Sequence, residues 1–257
     1  MPTTSHARPA SECFTLTPNE KRKSGVVWSK TPLAIADSFT VAASLYFGVN
    51  DALGADGIAF VLQNKGSSVV GIKGGGMGLG GISPSLGVTF DTYMNPQDPA
   101  DDHIAVVRDG MLIKGILDGP FPFPGQQQIE DGVFHDVTFE WLSTTQRLNV
   151  YWESNNSALV STTVNLVSIL GSESAYLGFT SSTGQYTNRQ EICIKHVLGT
   201  MFTSTPSIQP SMEPSSRPSL STTPSLFPSL PPTARSDPSI PPTRGPTSSP
   251  TRQRKPH

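Results

Sequence analysis

Residues 133–142 read VFHDVTFEWL, and the order of side chains in this run decides the class of fold. On an extended backbone Val133, His135, Val137, Phe139 and Trp141 share one face, while Phe134, Asp136, Thr138 and Glu140 share the other. Successive side chains of a strand point to opposite faces, so the run fits a strand with one face in a core and one mostly in solvent. A sustained helical period is absent. His135 falls on the apolar face as a half-buried histidine at the core edge, a structural residue rather than a catalytic one.

Working outward, comparable runs occur at FTLT, SFTVAASLYF, GIAFVLQ, LGVTFDTY, HIAVVR, RLNVYW, LVSTTVNL, AYLGFTSS and EICIKHVLG, separated by Gly, Asn, Asp, Pro and Ser. Such clusters are turn signals. Ten short strands within residues 11–203, with no intervening helices, predict an all-β fold of two antiparallel sheets packed face to face, a β-sandwich or jelly roll.

The composition limits function. A chain of 257 residues is long enough for one large β domain or two small ones. Its net charge of −2 gives no footprint for nucleic acid. No apolar run approaches the roughly 20 residues of a membrane helix. The start, MPTTSHARPASECF, lacks the apolar centre of a signal peptide. It reads either as a chain not exported by that route or as one without its true start. Cys13 and Cys193 are too far apart for a zinc-finger pattern and are either two buried thiols or one bridge.

The composition changes near Thr203. Pro-Ser recurs at 206, 210, 214, 218, 224 and 228, and 14 of the 24 prolines follow residue 205. Few backbone donors and little apolar surface remain to build a core, so residues 204–257 are expected to be a disordered, polyproline-like tail or stalk. Residues 1–10 are expected to be a disordered N-terminus. The tail carries six basic and two acidic residues, which leaves the first 203 residues with 12 basic against 18 acidic. The acidity therefore lies in the folded part. Hydroxyl-rich stalks are often O-glycosylated at cell surfaces; a plain disordered tail is the alternative.

Part of that acidity concentrates in residues 88–106, VTFDTYMNPQDPADDHIAV. Asp91, Asn95 and Asp98 offer hard oxygens from a turn after a strand, Pro96 and Pro99 stiffen it, and such oxygens suit calcium. His103 adds one nitrogen. Acid/base catalysis wants two carboxylates facing each other across a cleft, whereas carboxylates on one turn repel unless a cation neutralises them. The residues alone leave both an acidic turn and a metal site open.

The same run resembles the metal loop of the legume-type (L-type) lectins. That pattern, E-F-D-T-[FY]-x-N and then D-P-x-x-x-H, is met by Phe90, Asp91, Thr92, Tyr93, Asn95, Asp98, Pro99 and His103. In the family's order, ADGIAFVLQN (55–64) resembles the strand with the sugar-binding aspartate, GGGMGLGGI (74–82) the glycine loop, and AYLGFTSSTGQ (175–185) the late strand with its variable loop. LTPNEKRKSGVVWSK, followed by DSFTVAASLYF, resembles the opening hairpins. The similarity covers residues 14–200 and implies a legume-type lectin domain over 11–203 with a concanavalin-like jelly roll. The Pro-Ser-x-x tail resembles those of surface and wall proteins of diatoms and related algae.

The resemblance implies roles residue by residue. Calcium would be held by the Asp91 carboxylate, the Tyr93 carbonyl, the Asn95 side chain and Asp98, with waters completing the shell. Asn95 would also donate to a sugar hydroxyl, the Tyr93 ring would stack on the pyranose, Asp56 would accept from two hydroxyls, and the N–H of Gly75 would donate one bond. The Ala55–Asp56 peptide would be cis. Thr183, Gly184, Gln185 and Tyr186 lie in the specificity loop, with Gly184 and Gln185 taken as sugar contacts. Three departures stand out. Thr89 replaces the glutamate of the family's second, manganese site, so a transition metal held by Asp91, Asp98 and His103 is not carried over intact. The spacing from Asn95 to Asp98 is short, which leaves Asp101 or Asp102 as substitute ligands, and the family's first strand is missing or cut short before Cys13.

The function implied is calcium-dependent binding of glycans or glycoproteins without catalysis, by a secreted or cell-surface protein, with a homodimer open as an alternative to the monomer. A glycoside hydrolase on the same jelly roll is the alternative activity, but its Glu-x-Asp-x-x-Glu motif is absent, and Glu130 and Glu140 are isolated. A degenerate lectin domain with only an adhesive or cell-wall role is a third reading. Asn155-Asn156-Ser157 is a glycosylation sequon if the chain is exported.

Overall fold

The computed structural model describes residues 12–202 apart from 101 and 154, so the predicted N-terminal segment 1–10 and the Pro/Ser tail 204–257 lie outside the described residues. Thirteen strands follow one another among them: β1 Glu12–Thr17, β2 Ser24–Trp28, β3 Leu33–Ala34, β4 Phe39–Tyr46, β5 Gly57–Gln63, β6 Ser85–Asp91, β7 His103–Arg108, β8 Ile116–Pro122, β9 Phe134–Leu142, β10 Arg147–Trp152, β11 Val160–Thr163, β12 Ser174–Ser182 and β13 Gln190–Leu198. They form two sheets. One has the order β1-β13-β4-β9-β10-β11, the other β2-β12-β5-β6-β7-β8, with β3 also paired to β12. Every pairing is antiparallel.

The 133–142 run forms β9, where His135, Val137, Phe139 and Trp141 are buried and alternate with partly or fully exposed neighbours. These side chains meet the apolar face of the second sheet. Phe60 and Phe139 stack with ring centroids 4.0 Å apart, and Phe90 packs edge-on to Phe139. His135 is buried outright rather than at the core edge: its ring stacks on Trp152 at 4.9 Å, and its nitrogens face Glu153 at 2.7 Å and Asp131 at 3.1 Å. Two carboxylates supply its polar partners, which is why a histidine is tolerated there.

A second apolar cluster lies on the other face of the seven-stranded sheet and decides where a ligand can sit. Ala59, Val61, Ala105 and Val107 point away from the inter-sheet core and are covered by Leu79 and Ile82 of the glycine-rich segment. Strand β5 is therefore buried on both faces, consistent with its unbroken apolar run GIAFVLQ. Short backbone bonds fold the segment on itself, Gly71 N–H to Gly78 O at 2.9 Å and Ile72 N–H to Gly80 O at 2.8 Å, while Thr180 and Ser182 of β12 donate to Met77 O and Gly74 O.

The expectation of no helix needs one correction. Leu166–Leu170 forms a single short helix, capped by the Asn165 side chain on the Ser168 N–H and closed by Gly171 in the left-handed region. Cys13 and Cys193 sit directly opposite on β1 and β13 and are joined by a disulfide.

Candidate metal and ligand site

Strand pairing brings the acidic loop together. Asp91 ends β6 and lies opposite His103, the first residue of β7, with His103 Nε2 4.0 Å from Asp91 Oδ2. The chain between them returns Asp98 to the same place, so that ligand atoms of Asp91, Asp98 and His103 all lie within 4.8 Å of one another. The Asn95 backbone N–H donates to Asp98 Oδ2 at 2.9 Å, and the Asp98 N–H donates to Asn95 O at 3.0 Å. Asp91 Oδ1 accepts the Tyr93 N–H at 3.0 Å.

This geometry fits a hard cation. Burial pushes the Asp91 carboxyl well above its ordinary value, Asp98, Asp56 and Asp102 push the same way, and the Tyr93 N–H opposes them. A carboxylate buried among like charges is stable only with a positive partner. The Asn95 side-chain nitrogen sits 2.7 Å from Asp98 Oδ2 and 3.2 Å from Tyr93 O, so a carboxylate and a carbonyl converge on the tip of this amide. Turning the amide over would add a third oxygen that only a cation could reconcile. Asp91, Asp98 and His103 are thus grouped so that they could hold a metal ion, with the Tyr93 carbonyl close to the Asn95 amide beside them. The residues do not fit a second ion requiring an anion at position 89, because the buried Thr89 hydroxyl donates to Ala105 O at 3.3 Å. Asp102 stands outside the ligand group and accepts the Ile129 N–H at 2.8 Å. Asp101 lies outside the described residues.

Beside this loop lies Asp56. The Ala55–Asp56 peptide is cis. The Asp56 side chain is only 4% exposed, its Oδ2 has no hydrogen-bond partner among the described residues, and burial raises its carboxyl to about 7. The loop after β12 closes over it: a Cβ added at Gly184 would lie 3.6 Å from Asp56 Oδ2 and 3.7 Å from Gly74 Cα. On the other side, a Cβ at Gly75 would lie 3.5 Å from Asn95 Oδ1. Gly184 thus neighbours Asp56 and Gly74, and Gly75 neighbours Asn95, beside a buried carboxylate oxygen that has no hydrogen-bond partner among the described residues. Gln185 is exposed in the same loop. Tyr93 is half-buried, and one face of its ring stacks on Tyr186 at 5.5 Å. Thr183 is fully buried, accepting the Lys23 N–H and donating to Glu20 O, so it anchors the loop instead of facing a ligand.

Two positioning residues escaped the sequence reading. Gln190 is buried and brackets the cis peptide: its Oε1 accepts the Gly57 N–H at 2.9 Å, and its Nε2 donates to Ala55 O, Ser182 O and Thr17 Oγ1. Asn188 accepts from the Val49 and Asn50 N–H groups and donates to Asn50 O and to Glu130. Both contacts join segments more than 130 residues apart; a buried amide among polar partners was the only signal available, and composition does not display it. Glu130 is 2% exposed and raised to about 9 chiefly by burial, while Glu140 accepts from Asn149 and Tyr151.

Comparison with known proteins bears on the family and the fold. The family model described as "Legume lectin beta-barrel domain" matches residues 2–196. The seed lectin of Styphnolobium japonicum is 31% identical over 188 residues, 70% of this chain and 61% of that protein. The erythroagglutinating phytohemagglutinin of Phaseolus vulgaris is 33% identical over 168 residues, 62% of this chain and 58% of that protein. The chain thus spans about three fifths of the length of these relatives. Among solved structures, the Bauhinia forficata lectin in complex with GalNAc superposes with a TM-score of 0.61 at 18% identity, over 76% of this chain and 90% of that one. The exoplasmic/lumenal domain of VIP36 in its Ca2+/Man3GlcNAc-bound form gives 0.55 at 19%, over 75% and 80%. At these identities the likeness is one of fold.

Proposed function

Because the chain belongs to the legume lectin domain family, we propose that its folded part is a calcium-dependent, non-catalytic carbohydrate-binding domain. The observation that supports this reading is the buried, unpartnered Asp56 Oδ2 next to Gly184 and to the acidic loop of Asp91 and Asp98. Asp56 accepts two adjacent sugar hydroxyls, supplying the donors its buried oxygen lacks. Asn95 and the Gly75 N–H donate, and the Tyr93 ring, backed by Tyr186, offers its remaining face to the pyranose. Bound calcium supplies positive charge and fixes the loop. Asp91, Asn95 and Asp98 hold it, and the turn of Asn95 that exposes its N–H to the sugar follows from giving its oxygen to the ion.

A glycan is the partner, and the folded residues 11–203 carry the activity. The disulfide fits an oxidising compartment, hence a secreted or cell-surface protein, with the tail from 204 as stalk. Among the described residues no helix is long and apolar enough to cross a membrane. In a glycan array run with calcium and again with EDTA, the wild-type protein is expected to bind one sugar class only with calcium, and Asp56→Asn to lose it. No calcium-dependent signal on any glycan would overturn the reading.

A further inference from the structure

The connection between β10 and β11 leaves the six-stranded sheet at its edge, where β11 is the last strand. Backbone bonds to the sheet stop at Glu153, whose N–H donates to Asp136 O at 2.7 Å, and resume at Leu159, whose N–H donates to Val150 O at 2.8 Å. Glu153 has a φ of 55°, in the left-handed region, so the chain turns there. Between these two bonds Asn155, Asn156 and Ser157 are all exposed.

The sugar and metal sites use no part of this segment. Asn155 is the one asparagine of the sequence with a Ser or Thr two residues on, and no proline intervenes. The structure adds two conditions that a motif alone does not meet, exposure and local contacts. Asn155 Nδ2 donates to Trp152 O at 3.1 Å, and its backbone N–H donates to the same oxygen at 3.4 Å. A side-chain amide carries two N–H donors, and this bond uses one of them. The segment also belongs to a different sheet from the proposed ligand site, since Asp56, Asp91 and His103 stand at the ends of β5, β6 and β7.

We infer that Asn155 of the exported chain is the acceptor for an N-linked oligosaccharide, an inference that rests on the secreted or cell-surface reading above. The co-reactant is an oligosaccharide carried on a lipid pyrophosphate. Its anomeric carbon forms a bond to Asn155 Nδ2 while the bond from that carbon to the pyrophosphate oxygen breaks. One amide proton leaves the nitrogen, lipid pyrophosphate departs, and nothing is oxidised or reduced. The product is a secondary amide with one N–H, enough to keep the bond to Trp152 O. The bulky glycan projects into solvent from an exposed turn.

The full chain led by a cleavable secretory signal peptide, expressed in insect cells and recovered from the medium, tests this. An amidase that removes N-glycans is expected to shift the protein downward on a denaturing gel. Mass spectrometry should find the glycan on the tryptic peptide spanning residues 148–189, which contains the sequon. Asn155→Gln and Ser157→Ala are each expected to abolish the shift, and Ser157→Thr to keep it. A secreted chain with the Cys13–Cys193 bridge formed and the 148–189 peptide bare would overturn the inference while sparing both the export and the sugar readings. So would a shift that survives in Asn155→Gln and in Ser157→Ala. A modified peptide in the led chain, beside a bare peptide and reduced cysteines in the chain from its native cells, would instead overturn export and leave the acceptor assigned.

Discussion

At the scale of single residues, each candidate group does one thing that a substitution can isolate. Asp91 is the buried centre of negative charge, so Asp91→Ala is expected to weaken calcium binding by more than about 100-fold by calorimetry, since even residues behind the ligands typically contribute 10- to 100-fold. Gly75 tests the ligand space separately. Its Cβ would meet Asn95 only at ordinary contact distance, and its backbone has no positive φ, so Gly75→Ala should fold and keep calcium yet lose sugar on the array. Thr89 is the third. Placing a carboxylate beside Asp91, Asp98 and His103 with Thr89→Glu is expected to create a manganese site, read as a broadened Mn2+ signal by electron paramagnetic resonance that the wild type does not give. The grouping of Asp91, Asp98 and His103 was legible because one continuous motif encodes it. Gln190 and Asn188 were not, because their partners are set by strand pairing across most of the chain.

At the scale of elements, the strands that read best are those whose two faces differ or are both buried. The runs GIAFVLQ, HIAVVR and RLNVYW coincide with β5, β7 and β10. Strand β8, ILDGPFP, was missed because Gly119, Pro120 and Pro122 argue against a strand interior; it pairs only with β7, at the sheet edge where proline is tolerated. The run LVSTTVNL was read too long, since its last residue begins the helix capped by Asn165. Where β12 and β13 flank the loop of Gly184 and Gln185, Gln190 holds the strand end against the peptide before β5. Gln190→Leu keeps the volume but strands the Gly57 N–H and two carbonyls, and it should cost about 2–3 kcal/mol in urea unfolding. It should also weaken sugar binding with calcium affinity less affected, because Asp56 moves and Asp91 does not.

At the scale of the whole domain, the buried acids couple stability to pH and to calcium. Asp56 is raised to about 7, and Asp91 is also raised, so the metal-free folded chain holds protons that the unfolded chain releases near its ordinary carboxylate value of 3.8. The stability of the metal-free domain therefore falls as pH rises from about 4 through 7. A cation favours the ionised forms and opposes that loss. Thermal melts in EDTA and in calcium are accordingly expected to differ little at pH 5 and by several degrees at pH 7.5. A gap that is largest at low pH would contradict the assignment of calcium to these carboxylates. The Cys13–Cys193 bridge has a different consequence, one of topology. It closes residues 13–193 into a covalent ring through strands that already pair. A single protease cut in the exposed β7–β8 connection would open that ring without releasing a fragment. The nicked protein should run as one molecule on a denaturing gel and separate into two pieces only after reduction.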